Sequence, residues 1–415
     1  MNVEQICVAA RDASHVLATL SRARKDAALT EIADAITRRS AEILTENRED
    51  VRLGREARLP DAMIDRLLLD EDRLADVAAS VRELAALPDP VGQIIEGWRL
   101  SNGIELRRVR VPLGVVAVVY EARPNVTVDA ACLCLKTGNA VILRGGSAAK
   151  HTNRILAEVV QGAIIEAGLP REAVSYLTPD RRELQELLQQ RDYVDLIIPR
   201  GGEQLKDFLL EHSRVPVVYA AGGNCHVYVD AAADLEKAVR IIVNAKCQRP
   251  GVCNAAETLL VHEAVAAEFL PRALDELKRR GVELIVDEAT AAIVDDPEFK
   301  RATVADYETE FLALKLAVRV VASLVDAIAH ITRYGTRHSE AIVTNDVGTA
   351  NRFTAEVDAA CVYVNASTRF TDGGQFGLGA EMGISTQKLH VRGPIALDEL
   401  TCVKYVLWGD GQVRG

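Results

Sequence analysis

The chain has 415 residues, too many for one small hydrophobic core, so two or three domains are expected. Nearly half of the residues are hydrophobic and about a quarter charged, an ordinary balance for a soluble globular protein. The formal net charge is −11 with no long basic run, which argues against nucleic acid as the main partner. No apolar run approaches the length of a membrane span. The start MNVEQICVAARDASHV lacks a basic segment followed by an apolar one. A cytoplasmic enzyme is the expectation.

The first ninety residues read as helices. In LATLSRARKDAALTEIADAITRRSAEIL apolar positions recur every three to four residues, until LPDPVG at 87–92 breaks the pattern. IELRRVRVPLGVVAVV (104–119) is β-branched and partly alternating, with Pro112-Leu113-Gly114 in its middle. It reads as a hairpin strand running into a buried central strand. Strand-like runs AVILR, AVSYL, VDLIIPR and VPVVYA then alternate with helix-like runs at 150–168, 181–191 and 203–212. Such alternation predicts a mostly parallel sheet with helices on both faces. A second αβ series starts near Cys225 and closes with CVYVNAS (361–367). The last run, LTCVKYVLWG (400–409), has nothing after it in the chain to pair with, and an unpaired strand needs a cover. The hairpin near 100–111 of a second subunit is one such cover, so an oligomer is predicted.

Eight cysteines are scattered with no C-x-x-C pair, and the histidines supply no zinc-like spacing, so neither a disulfide framework nor a metal site is predicted. Cys7, Cys132, Cys134, Cys361 and Cys402 read as small buried hydrophobes. Cys253 differs. In QRPGVCNAAETLLV a Pro-Gly break places it at a loop tip, with Arg249 four residues before. A nucleophilic thiolate needs access and nearby positive charge. The N–H groups of Cys253 and Asn254 are also candidates to face an oxyanion.

Two segments share the grammar strand, Gly-Gly, helix: VILRGGSAAKHTN and LIIPRGGEQLKDF. Such turns expose N–H groups to an anion, and Arg144 and Arg200 precede them, although both also read as plain βα turns. No G-x-G-x-x-G or P-loop is present. Arg123, Asn125 and Thr127 fall where a strand gives way to a helix, the usual ligand edge of a parallel sheet. Asn125 reads equally well as an N-cap. NASTRFTDGGQFGLGAEMGISTQ (365–387), poor in aliphatics and carrying Arg369, reads as a loop lining a site for a polar or anionic substrate.

YEARPNVTVDA, LKTGNAVILRGGSA, GNCHVYVD, QRPGVCNAAETLLVH, the string H-I-x-x-Y-G-T-x-H-S-E-x-I from His330 to Ile342, and R-F-T-D-G-G-x-F-G-L-G-A-E resemble one family over essentially the whole chain. It is the gamma-glutamyl phosphate reductase (glutamate-5-semialdehyde dehydrogenase) family of the aldehyde dehydrogenase superfamily. The resemblance implies two doubly wound α/β domains, an NADPH-binding one (1–98 and 112–224) and a catalytic one (225–392). A β oligomerisation arm (99–111 and 393–415) would build a homodimer or homotetramer.

The implied reaction is NADPH-dependent reduction of L-glutamate 5-phosphate to L-glutamate 5-semialdehyde, in proline biosynthesis. By the same resemblance Cys253 is the nucleophile and Asn125 an oxyanion-hole candidate. Arg144, Gly145, Ser147, Gly201, Gly202 and Glu310 would hold the cofactor, and Arg369 and Arg249 the substrate's carboxylate or phosphate. Hydrolytic members carry a glutamate base before the glycines that here are Gly222 and Gly223; this chain has Tyr219, Ala220 and Ala221. The missing glutamate tells against a hydrolytic aldehyde dehydrogenase. The full-length resemblance tells against a CoA-acylating enzyme, and an intact Cys253 against a non-catalytic binding protein of the same fold. The lability of an acyl phosphate suggests transient contact with glutamate 5-kinase.

Overall fold

The structure, a computed structural model, describes residues 1–414 apart from Ala221. The chain forms two compact units. The first comprises Met1–Ala220, Gly377–Gly383 and Ile395–Gly415; the second, Ala221–Phe376 and Ile384–Pro394.

In the first unit the helical periodicity resolves into five helices, Val3–Leu17, Arg22–Arg38, Ser40–Glu56, Asp61–Leu67 and Glu71–Ala86. They pack beside a four-stranded parallel sheet in the order Val174–Leu177, Ala140–Gly145, Val115–Tyr120, Leu196–Arg200. Every residue of Val115–Tyr120 is buried, as a central strand covered on both faces requires. Each such valine contributes about 1.5–3 kcal/mol through burial. Strand order reverses at this strand, because Ala140–Gly145 lies on one side and Leu196–Arg200 on the other. Its C-terminal end is therefore a topological switch point. The run 215–220 forms no named strand and makes only an isolated bridge between Ile197 and Val217.

The second unit is a seven-stranded sheet in the order Lys300–Arg301, Glu283–Val286, Lys315–Val321, Ala256–His262, Cys225–Val229, Ser339–Val343, Cys361–Val364. All of its pairings are parallel. Its core joins the inward faces of helices Leu235–Cys247 and Glu263–Arg279 to valines and leucines of the sheet.

The terminal strand corrects one expectation. Thr401–Trp408 is not left unpaired within the chain. It pairs antiparallel with Glu105–Pro112 along its whole length, beside Ile94–Arg99, in a three-stranded sheet. Pairing partners nearly 300 residues apart leave no mark in a local pattern. Cys402, expected to be buried, is exposed on that strand.

Candidate active site

In the second unit helix Leu235–Cys247 starts where the Asp234 carboxylate accepts the N–H groups of Glu236 and Lys237. It ends at Gln248, and Pro250, which lacks an N–H and disfavours helix before it, turns the chain. Cys253 therefore stands after a helix C-terminus and just before strand Ala256–His262, at the N-terminal edge of the sheet. A helix dipole here is negative, so positive charge near the sulfur has to come from side chains.

The surroundings of Cys253 come from four segments. Gly223 lies flat against it: a Cβ there would stand 1.4 Å from the Cys253 carbonyl oxygen. The same carbonyl accepts the Cys225 thiol at 3.2 Å. Burial, with the Glu340 charge second, holds that thiol far above the usual range, so Cys225 acts here as a donor. Cys253 itself is half-buried. The Gly223 N–H donates to Glu310 Oε1 at 2.7 Å, which brings the predicted Glu310 to the cysteine's neighbourhood.

The polar loop supplies the rest. Thr368 Oγ1 donates to the Asn254 carbonyl at 2.7 Å, and Asn254 Nδ2 donates to the Thr371 carbonyl at 2.9 Å. Arg369 is half-buried; its Nε donates to Gln248 Oε1 at 2.8 Å and its Nη1 to Asn254 Oδ1. Burial lowers the Arg369 pKa, the Arg249 charge pushes the same way, and Cys253 and Asp372 oppose both. Arg249 and Cys253 are thus close enough to Arg369 for their charges to act on it. Residues 377–383 of the same loop belong to the first unit.

On the helix before and the strand after the cysteine loop, Lys246 Nζ donates to Glu257 Oε2 at 2.6 Å, and both side chains are fully buried. Glu257 Oε1 accepts the Leu312 N–H at 3.2 Å and so tethers the segment that carries Glu310. Burial lifts the Glu257 carboxyl to about 7 against the pull of Lys246. Nothing in the local sequence announces this pair.

The remaining predicted residues lie in the first unit, on turns at the C-terminal ends of its strands. Tyr120 is in register with Gly145 on one side and Arg200 on the other, so three turns meet at the switch point. They carry Asn125, then Gly145 and Ser147, then Gly201 and Gly202. Asn125 is not an N-cap: Pro124 holds that position, and Asn125 Nδ2 donates to Asp129 Oδ2 at 2.9 Å. Burial raises the Asp129 carboxyl to about 6, opposed by this hydrogen bond and by Arg200.

Arg144 Nη2 donates to the Pro179 carbonyl at 2.8 Å, while Arg144 Nε and the Tyr176 hydroxyl are buried without a hydrogen-bond partner. The two glycine turns differ. The buried Asp50 carboxylate accepts the N–H groups of His151 and Thr152, filling the start of helix Lys150–Glu166. At helix Glu203–His212 the Gly202 N–H meets only exposed Glu121, at 3.1 Å. Asp50, about a hundred residues upstream, carried no signal in the sequence.

Known proteins of this architecture agree over the full length. The aldehyde dehydrogenase family model matches residues 1–303. A gamma-glutamyl phosphate reductase of Moorella thermoacetica is 55% identical over 406 residues, 98% of this chain and 97% of its own. That of Thermobifida fusca is 52% identical over 414 residues, 100% of this chain and 99% of its own. The crystal structure of gamma-glutamyl phosphate reductase from Thermotoga maritima superposes with a TM-score of 0.97 at 45% identity and covers 100% of both chains. The chain belongs to the aldehyde dehydrogenase family and, within it, to the gamma-glutamyl phosphate reductases.

Proposed function

We propose that this chain reduces L-glutamate 5-phosphate to L-glutamate 5-semialdehyde with release of phosphate, in proline biosynthesis, through a thioester on Cys253. The observation that carries the reading is a half-buried cysteine whose charge, with that of Arg249, acts on Arg369, in a chain that matches this family over 98% of its length. The Cys253 thiolate attacks the acyl carbon, a C–S bond forms, and the C–O bond breaks with its electron pair leaving on phosphate. Arg369 and Arg249 balance the charge of the departing phosphate or of the substrate carboxylate. The Cys253 N–H and the Asn125 amide are the candidates to hold the carbonyl oxygen.

The first unit fits a nicotinamide dinucleotide. Arg144 Nε and the Tyr176 hydroxyl are orphaned donors, and the glycine turn at Gly201 and Gly202 ends on an exposed, displaceable carboxylate. Arg144, Gly145 and Ser147 would hold the adenosine side, Gly201 and Gly202 the pyrophosphate, and Glu310 the nicotinamide ribose. Burial chiefly lowers the Arg144 pKa, and Arg181 among the neighbouring charges pushes the same way. Two cations together favour the extra phosphate of NADPH. When bound, the cofactor supplies the hydride that converts the thioester to a thiohemiacetal, which collapses to the aldehyde. The chain's part is to leave water unactivated against the thioester until then, because no glutamate base precedes Gly222 and Gly223. Tyr219 stacks on the Lys206 ammonium at 5.5 Å, Ala220 carries no base, and Ala221 lies outside the described residues.

The test runs in reverse, with purified protein, glutamate semialdehyde, phosphate and NADP+. Formation of reduced cofactor that depends on phosphate is expected, and phosphate-independent turnover defeats the reading. Cys253→Ala is expected to lose more than about 99% of it, because the covalent route has no substitute. We extend the proposal to a cytoplasmic homodimer or homotetramer that meets glutamate 5-kinase transiently. A monomer in light scattering, or no channelling between the two enzymes, counts against those parts. Among the described residues no helix is long and apolar enough to cross a membrane.

A further inference from the structure

Arg369 is held in an uncommon way. Among the described residues no carboxylate pairs with its guanidinium; its Nε and Nη1 go instead to the neutral amide oxygens of Gln248 and Asn254. Those two residues bracket the cysteine loop, one at the end of helix Leu235–Cys247 and one directly after Cys253. Asn254 is buried and fixed at three points, by Thr368 on its carbonyl, by the Thr371 carbonyl on its Nδ2, and by Arg369 on its Oδ1. Thr371 is in turn bonded to Ser339 Oγ at 2.6 Å and to the Tyr363 hydroxyl at 2.7 Å. Ser339 belongs to the H-I-x-x-Y-G-T-x-H-S-E-x-I string, for which the reaction chemistry alone gives no use. The charged groups that act on Arg369 besides Cys253 are Arg249 and, more weakly, Asp372.

A carboxylate in either amide's place would hold the guanidinium as well in geometry but would cancel its charge. A neutral clamp fixes the direction of the fork and leaves the positive charge to act on whatever stands beside Cys253. With a helix C-terminus behind the loop, such a charge has to come from side chains.

We propose that Gln248 and Asn254 are positioning residues that hold Arg369, charge uncancelled, at the loop that carries Cys253, and that Ser339 and Thr371 lock this clamp from behind. This rests on Cys253 as the nucleophile assigned above. The clamp acts through Arg369: it keeps the thiolate formed before substrate arrives and presents the same cation to the phosphate as its bond to carbon breaks.

The experiment follows alkylation of Cys253 by iodoacetamide across pH, read at the Cys253 peptide by mass spectrometry, in the full chain without substrate. Arg369→Gln is expected to raise the pH midpoint by about one unit, the size of one lost neighbouring charge. Gln248→Met, at an exposed position that leaves the core untouched, should raise it part of the way. The double variant should match Arg369→Gln alone. Gln248→Glu, which keeps an acceptor for Nε but pairs the cation, should raise the midpoint too. An unmoved midpoint in Gln248→Met or in Gln248→Glu overturns the proposal. A Gln248→Met shift that persists undiminished beside Arg369→Gln also overturns it, since the amide would then not act through the guanidinium. No substrate enters this assay, so its failure is separate from failure of the phosphate-dependent turnover that tests the reaction.

Discussion

Replacing Gly223 by alanine perturbs Cys253, the proposed nucleophile, through a single methyl group. Gly223 does not have a positive φ, so alanine meets no backbone objection there, and the only issue is space. The new Cβ would lie 1.4 Å from the Cys253 carbonyl oxygen, 2.4 Å from its carbonyl carbon and 3.0 Å from its Cα. All three are rigid backbone atoms, with no side-chain end to swing away. Relief to about 3 Å means that the two segments part by roughly 1.6 Å, and a displacement of even about 1 Å at a reacting centre costs on the order of 100-fold in rate. The Gly223 N–H moves off Glu310 in the same shift, and the charge-assisted bond lost there is worth about 1.5–3 kcal/mol. Gly223→Ala is therefore expected to lower kcat/KM in the phosphate-dependent reverse assay by about 100-fold or more. Urea denaturation should show a loss of about 1–3 kcal/mol, the range for overpacking. A Gly223→Ala protein within about threefold of parent activity would refute the argument, because the cysteine loop would then not be fixed by this contact.

Other consequences are equally open to measurement. Glu257→Leu strands the buried Lys246 ammonium and should cost about 3–5 kcal/mol in urea denaturation, whereas the double change Lys246→Met with Glu257→Leu should recover most of it. If Glu257→Leu is as stable as the parent, the pair does not anchor the loop. Asp129 keeps its proton to about pH 6 when folded, against an ordinary value of 3.8, so the folded state binds the extra proton between those limits. Stability must then fall as pH rises from about 4 to 6 and level off above, by up to about 3 kcal/mol. Asp129→Asn should abolish that part of the slope; an unchanged profile would show that the group is solvated.

The legible part of this protein was whatever repeats locally. Helical spacing in the first ninety residues, β-branched runs between helices, and glycines after strands are written within a dozen residues, and helix Glu203–His212 coincides with its sequence reading. Cys253 could be placed on a loop because Pro250-Gly251 must end a helix, and the family motifs pointed to its role. Other features depend on groups 80 to 300 residues apart, and no periodicity encodes them. Asp50 closes one glycine turn and Glu121 faces the other. Asn125, by contrast, turns to a neighbour four residues on, Asp129, although its type suits a cap. Thr401–Trp408 finds its partner within its own chain. The sequence determined which residues are chemically able to act, since residue type sets what a group can do. Packing alone decided which of them meet, because a buried donor or charge must be satisfied by whatever the fold brings within about 3 Å of it.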